Sequence, residues 1–486
     1  MASKGQNTRG RPSHLHKNAI SVIGAVAISM AFMGPATSVF FNTGPVVSGV
    51  GYALPVALVL ALIVSALVAS AIAAFAQKLP TAGFAYTFNT HGFGKRGGFM
   101  SGWILAFAYG MVGPMLISGI GAFTAQFVTA QFGLDIQWWA FSIAYALIVW
   151  GISALGINRS AATALIFLVL EVSVMMTLFA TILAKGGAQG LTVAPFNPAR
   201  SLHGISGIGT GLLWGILFFV GFESAGTLGE ETQNPRRSIP IALFSAVAII
   251  GLYYVLSSYA AAVGFGQNHT AALVRDTTPW TTLSNRYWGA NVGWILSLTV
   301  LNSIFANLVS GCNATIRVVF AMGREGIFTR ALGRTTASGV PFVALTAYMA
   351  FSLILALVGS ALWSPFGAYG FYGTILGLGI VIVYILVNLA LIRFYWRDYR
   401  AEFNVVRHGI LPVIASLLML LPIYGQLWPV PAYPNNLVPY IIVVWIILGY
   451  GYLSYLSRQR PEIVDAMGRA MGEETTTDQA PQTSLA

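Results

Sequence analysis

Hydrophobic positions fill this chain in long blocks, and charged residues mark where the blocks end. Residues 18–77, 335–392 and 408–457 contain no Asp, Glu, Lys or Arg. Each is long enough for two helices of about 20 residues, the length a bilayer core requires. Residues 97–134, 136–158, 238–274 and 287–316 each hold one more, and 160–184 and 201–229 are interrupted by Glu171 and Glu223. The pattern predicts an all-α polytopic membrane protein with twelve transmembrane helices, near 19–46, 52–76, 97–128, 138–157, 161–184, 206–230, 238–264, 290–320, 340–360, 368–394, 409–428 and 437–457.

Two of these spans differ from the rest. Gly34-Pro35-Ala36-Thr37-Ser38 interrupts the first, and Val220-Gly221-Phe222-Glu223 the sixth. Proline removes an amide donor and clashes with the preceding turn, while glycine lets the freed backbone turn aside. Breaks five spans apart predict an inverted 5+5 repeat, about 19–184 and 206–394, with extra helices at 409–457. Unpaired backbone at membrane depth is tolerated only where it lines a cavity or binds something. The amides of Thr37, Ser38 and Val39 suit an anion, and the carbonyls of Phe219, Val220 and Phe222 suit a cation. An α-amino acid carries both charges. Gly34, Ala36, Thr37, Ser38, Phe219, Val220, Gly221 and Phe222 are therefore the expected backbone-rich substrate site.

Charge adds orientation. Only 8% of the 486 residues are charged, against about 25% in soluble domains. With the N-terminus in the cytoplasm, only Lys185, Arg200, Arg275 and Arg286 of the 25 Lys and Arg residues fall outside. That asymmetry predicts a transmembrane domain over 18–457 of a cell membrane, between cytoplasmic and disordered tails at 1–17 and 458–486. The net charge of +11 then serves topology rather than nucleic-acid binding. Cys312 is alone, and the six histidines lack metal-ligand spacing, so neither a disulfide framework nor a metal site is expected. No phosphate loop or nucleophile–base pattern appears, which disfavours an enzyme and any cofactor.

Three stretches carry a resemblance. "GFESAGTLGEETQNPRRSIPIAL" (221–243), "QKLPTAGFAYTFNTHGFGKRGGFMSGW" (77–103) and "ATIRVVFAMGREGIFTRAL" (314–332) resemble the amino acid–polyamine–organocation transporters, the amino acid permeases. The resemblance implies a LeuT-type fold in which spans 1, 2, 6 and 7 rock against spans 3, 4, 5, 8, 9 and 10. It also implies amino acid or polyamine transport by alternating access. The proline in GPATS departs from the family's Gly-rich break and leaves one fewer amide donor. Counted from Gly156, Glu171 falls where many members have a lysine, so the charge is reversed.

Glu223 follows the break and is expected beside the site, where burial opposes its charge and a helix start favours it. It is read either as a proton-sensitive coupling residue or as a protonated link between helices. For Glu171 three readings stay open: acceptor of the coupling proton, sodium ligand together with hydroxyls such as Ser297 and Thr299, or protonated interhelical link. Two buried acids also leave open a cationic substrate. Tyr109 and Asn302 are expected at the substrate, with Asn307 weighed beside Asn302, and Phe222 and Tyr369 as gates. Glu230, Glu231, Arg236 and Arg237 are candidates to latch the cytoplasmic end with Arg317 or Arg324. The expected activity is proton-coupled amino acid uptake. A polyamine or basic amino acid permease, an exchanger and a non-transporting nutrient sensor are the alternatives.

Overall fold

In the computed structural model, which describes residues 20–467 apart from 82, 156, 277, 337 and 338, the apolar blocks fold as helices, and no strand forms among the described residues. Ser21 caps α1 (Val22–Met33), its side chain accepting the Gly24 N–H. Gly34, at a left-handed φ of 55°, ends α1 and starts α2 (Pro35–Val50). Proline at a first helical position sacrifices no hydrogen bond, so the expected five-residue interruption narrows to one residue. Gly51 turns the chain into α3 (Leu54–Lys78). A short α4 (Ala85–Phe93) precedes α5 (Lys95–Gly110) and α6 (Val112–Phe132), which are offset at Met111. There Pro114 lacks the amide that would continue the ladder from Gly110.

α7 (Trp138–Ala154) and α8 (Ile157–Ala184) follow, then α9 (Gly204–Phe219). A tight 3-10 segment, Phe222–Leu228, continues α9 at a bend of 43°. After α10 (Pro235–Phe265), the short α11 (Thr270–Arg275) and α12 (Pro279–Trp288) lead to α13 (Gly293–Arg324). α14 (Phe342–Trp363), α15 (Pro365–Asp398), the paired α16 (Leu411–Leu418) and α17 (Leu420–Leu427), and α18 (Val438–Gln459) complete the spans.

By length and composition, nine helical runs among the described residues are fit to cross a membrane, or ten with the bent pair. The first, Val22–Lys78, covers two of the twelve expected spans, and Trp138–Ala154 is apolar but shorter. The tail at 1–17 and the end of the tail at 468–486 lie outside the described residues. Pro461–Ala466 is helical, and Lys95 pairs with Asp465 at 3.0 Å, so the start of the second tail is docked.

The broken helices occupy the middle of the molecule. α1 packs against α8, α10, α13 and the 3-10 segment, while α2 packs against α9. At the face that carries both described ends, the backbone of Ile20 pairs with Glu231 and Gln233 at 2.9 Å each. We call this the terminal face and its opposite the far face.

Candidate functional site

The two breaks meet each other. Gly221 adopts φ 119°, and a Cβ there would stand 2.7 Å from the backbone of Phe32 and Met33. Only glycine permits both that conformation and that approach. Across α1, Gly34 leaves room for the Asn307 amide. The Met33 carbonyl, at the end of α1, accepts Ser38 Oγ–H (2.7 Å) and the Tyr254 hydroxyl (3.1 Å). The Thr37 N–H donates to Ser303 Oγ (3.0 Å), and the Ser38 N–H donates to the Gly34 carbonyl (2.7 Å). Two of the three amides expected to face an anion are thus engaged within the protein.

In span 6 the Gly221 N–H leaves the helix ladder and donates to Glu223 Oε2 (3.0 Å). Tyr109 donates to Oε1 (2.6 Å). Glu223 therefore ties the break to α5 from outside the cavity. Glu171 lies on the other side of α1, fully buried, beside the Ser303 hydroxyl, with Oε2 unpartnered. Thr37 Oγ1 and the Tyr253 hydroxyl are also buried without partners.

Between the breaks lies a pocket of about 20 Å³ whose polar lining is Ser38, Asn42, Asn307 and Tyr369. The Tyr369 hydroxyl donates to Asn42 Oδ1 (3.1 Å) and forms the wall shared with a second cavity. That vestibule holds about 930 Å³ and opens on the far face, with Phe40, Phe41, Phe123, Trp214 and Phe366 among its walls. Toward the terminal face, buried Arg317 pairs with Glu231 (2.7 Å), Arg324 pairs with Glu230 (3.0 Å), and Tyr86 donates to Glu325. The expected pairs thus exist, and Arg317–Glu231 is buried rather than surface-exposed.

Several expected site residues move. Asn302 turns away, its Nδ2 donating to the Phe167 carbonyl (3.1 Å), and Asn307 takes the cavity position. Tyr109 reaches Glu223 rather than the cavity, and Phe222 packs on Tyr384 (5.9 Å) without lining it, so Tyr369 alone of the two expected gates stands at a constriction. Phe219 faces Tyr254 (5.3 Å), while Ala36 is fully buried and only Ser38 and Val220 of the eight backbone positions line the pocket. Asn42 was not anticipated. Its spacing of four from Ser38, inside an apolar span, was the available signal. No cluster fit for a metal ion occurs among the described residues.

Many apolar helices, with two glycine breaks in contact at their centre, define a multi-pass membrane protein. The amino acid permease profile matches residues 24–430, and the chain belongs to that family. It is similar to the lysine-specific permease LysP of Lactococcus lactis (26% identical, over 82% of each chain). It is also similar to the low-affinity putrescine importer PlaP of Escherichia coli (23%, over 91% of this chain and 94% of that one). A third relative is the branched-chain amino acid permease BcaP of L. lactis (22%, 87% and 91%). The chain is a permease and not an enzyme.

Proposed function

We propose that this permease is a secondary active transporter that carries an amino acid across the cell membrane by alternating access, driven by protons. The observation that carries the reading is the contact between the Gly34 and Gly221 breaks, beneath an open vestibule and above closed ion pairs. A vestibule that reaches the Tyr369 wall of the site from one side, with ion pairs closed on the other, is one half of an alternating-access cycle. The reverse half requires Glu231–Arg317 and Glu230–Arg324 to part.

We count twelve spans, taking Val22–Lys78 as two, the bent pair as one and Trp138–Ala154 as one, beside the other eight runs. We read them as a 5+5 inverted repeat plus two. The Lys and Arg distribution supports cytoplasmic termini, which puts the vestibule outside.

Glu171 is the proton carrier in this reading, and Glu223, the other expected one, is a brace. An ionised Glu171 accepts from Ser303, whose oxygen meanwhile accepts the Thr37 N–H. A protonated Glu171 can itself donate to Ser303, which changes the bonding at the first turn of α2 next to Ser38. The names of the relatives, covering lysine, putrescine and branched-chain amino acids, keep a polyamine permease as the second reading.

The test uses proteoliposomes holding the purified chain. Counterflow of an amino acid or amine, together with its accumulation when the interior is made alkaline, supports the proposal. Binding without flux would support a sensor. Counterflow without pH-driven accumulation would support an exchanger.

A further inference from the structure

We infer that the substrate is a zwitterionic amino acid with an uncharged, apolar side chain, and that Met115, Leu217 and Leu376 receive that side chain. This rests on the transporter reading above. Among the described residues the pocket between the breaks has no charged lining group: beyond its four polar residues it presents Met115, Leu217, Leu376 and other apolar groups. The route to it is also uncharged, since His203 is the sole imidazole, carboxyl or basic group among the vestibule walls.

Neither buried acid is available to neutralise a second cation. Glu223 is turned to Tyr109 and the Gly221 amide and does not line the pocket. Glu171 belongs to the Ser303–Thr37 side of α1, outside the pocket lining. A zwitterion brings its own countercharge, and the polar groups at the breaks serve its main chain. A lysine side chain or the second amine of a polyamine would be buried with no partner, which is strongly unfavourable.

The apolar end is close-packed but includes a flexible member. Gly373 of α15 faces Met115 Sδ (a Cβ there would lie 3.2 Å from it), Leu217 (3.3 Å) and Trp214 (3.4 Å). The flexible Met115 thioether, packed on this glycine, lets the wall reshape around an aliphatic group. At about 20 Å³ the pocket holds no more than a water. The substrate must therefore displace the wall, and this wall is the deformable one.

The experiment is counterflow in proteoliposomes preloaded with leucine, with external labelled leucine challenged by valine, methionine, asparagine, lysine or putrescine. Valine and methionine are expected to compete, with lysine and putrescine weaker by about a hundredfold or more. Lysine or putrescine competing as well as valine, or being trapped in its own counterflow, overturns the inference and leaves the transporter reading standing. Asparagine outcompeting valine overturns the apolar assignment. No counterflow of any compound by monodisperse protein overturns both. Met115→Asp is expected to strengthen lysine competition and weaken leucine counterflow. Unchanged lysine competition in a folded Met115→Asp protein overturns the placement of the side chain, and the wild-type panel decides if that variant does not fold.

Discussion

Glu171 and Glu223 are buried equally deep in helices that flank α1, yet they are provisioned in opposite ways. Glu223 accepts from two donors, one backbone and one phenolic, and thereby joins the glycine break of span 6 to α5. Glu171 has a swivelling hydroxyl beside it and an empty oxygen. Protonating a carboxylate held by two fixed donors weakens both bonds, because its oxygens lose their charge and one lone pair, so such donors resist the proton. A carboxyl with a free oxygen and an adjustable neighbour can accept it. The same residue type in the same membrane interior thus makes a brace in one place and an adaptable acceptor in the other, and the difference lies wholly in who donates to it.

The largest effect expected from breaking this contrast is at the brace. Glu223→Ala leaves the Gly221 N–H and the Tyr109 hydroxyl without an acceptor and opens a cavity. A loss of about 3 kcal/mol or more is expected, read as a fall in Tm in detergent together with abolished counterflow. An unchanged Tm would remove the brace. Glu171→Gln keeps the shape and fills a site that already has an unpartnered oxygen. Its Tm should stay near that of the parent protein, counterflow should persist, and accumulation driven by a pH gradient should vanish. Persistent accumulation would return Glu171 to a structural role, and a Tm collapse would erase its difference from Glu223.

Much of this was visible in the sequence, for identifiable reasons. Blocks free of charge predict helices because no other open structure satisfies its backbone in lipid, and the helices fall where the blocks do. Gly34-Pro35 and Gly221 announced the breaks because each leaves a gap in a hydrogen-bond ladder. Donor geometry was not legible. Nothing in "GFES" says that Glu223 turns back on the amide two residues earlier, nor that a tyrosine 114 positions away completes its partners. Asn302 and Asn307 are equally polar in sequence, and only the rotation of α13 sends one to the Phe167 carbonyl and the other to the pocket. The latch pairs were recognisable as opposite charges, whereas the burial of Arg317–Glu231 depends on how α13 packs against the segment after Leu228.

Two smaller changes sharpen the comparison from its edges. Ser303→Ala deletes the acceptor of the Thr37 N–H and the neighbour of Glu171 together. About 1 kcal/mol of stability should be lost, and the accumulation ratio should fall while counterflow remains. Equal loss of both activities would show that Ser303 serves the cavity rather than the coupling. Tyr384→Phe should do least. Its hydroxyl approaches Glu223 as a loose third contact, short of the geometry of a full hydrogen bond, and its ring already packs on Phe222 as phenylalanine would. Removing an oxygen held only by that loose contact should shift stability by no more than about 0.5 kcal/mol and leave counterflow intact. A drop in Tm comparable to that of Tyr109→Phe would mean that the loose Tyr384 contact is a full third donor to Glu223, so that the brace rests on three donors rather than two.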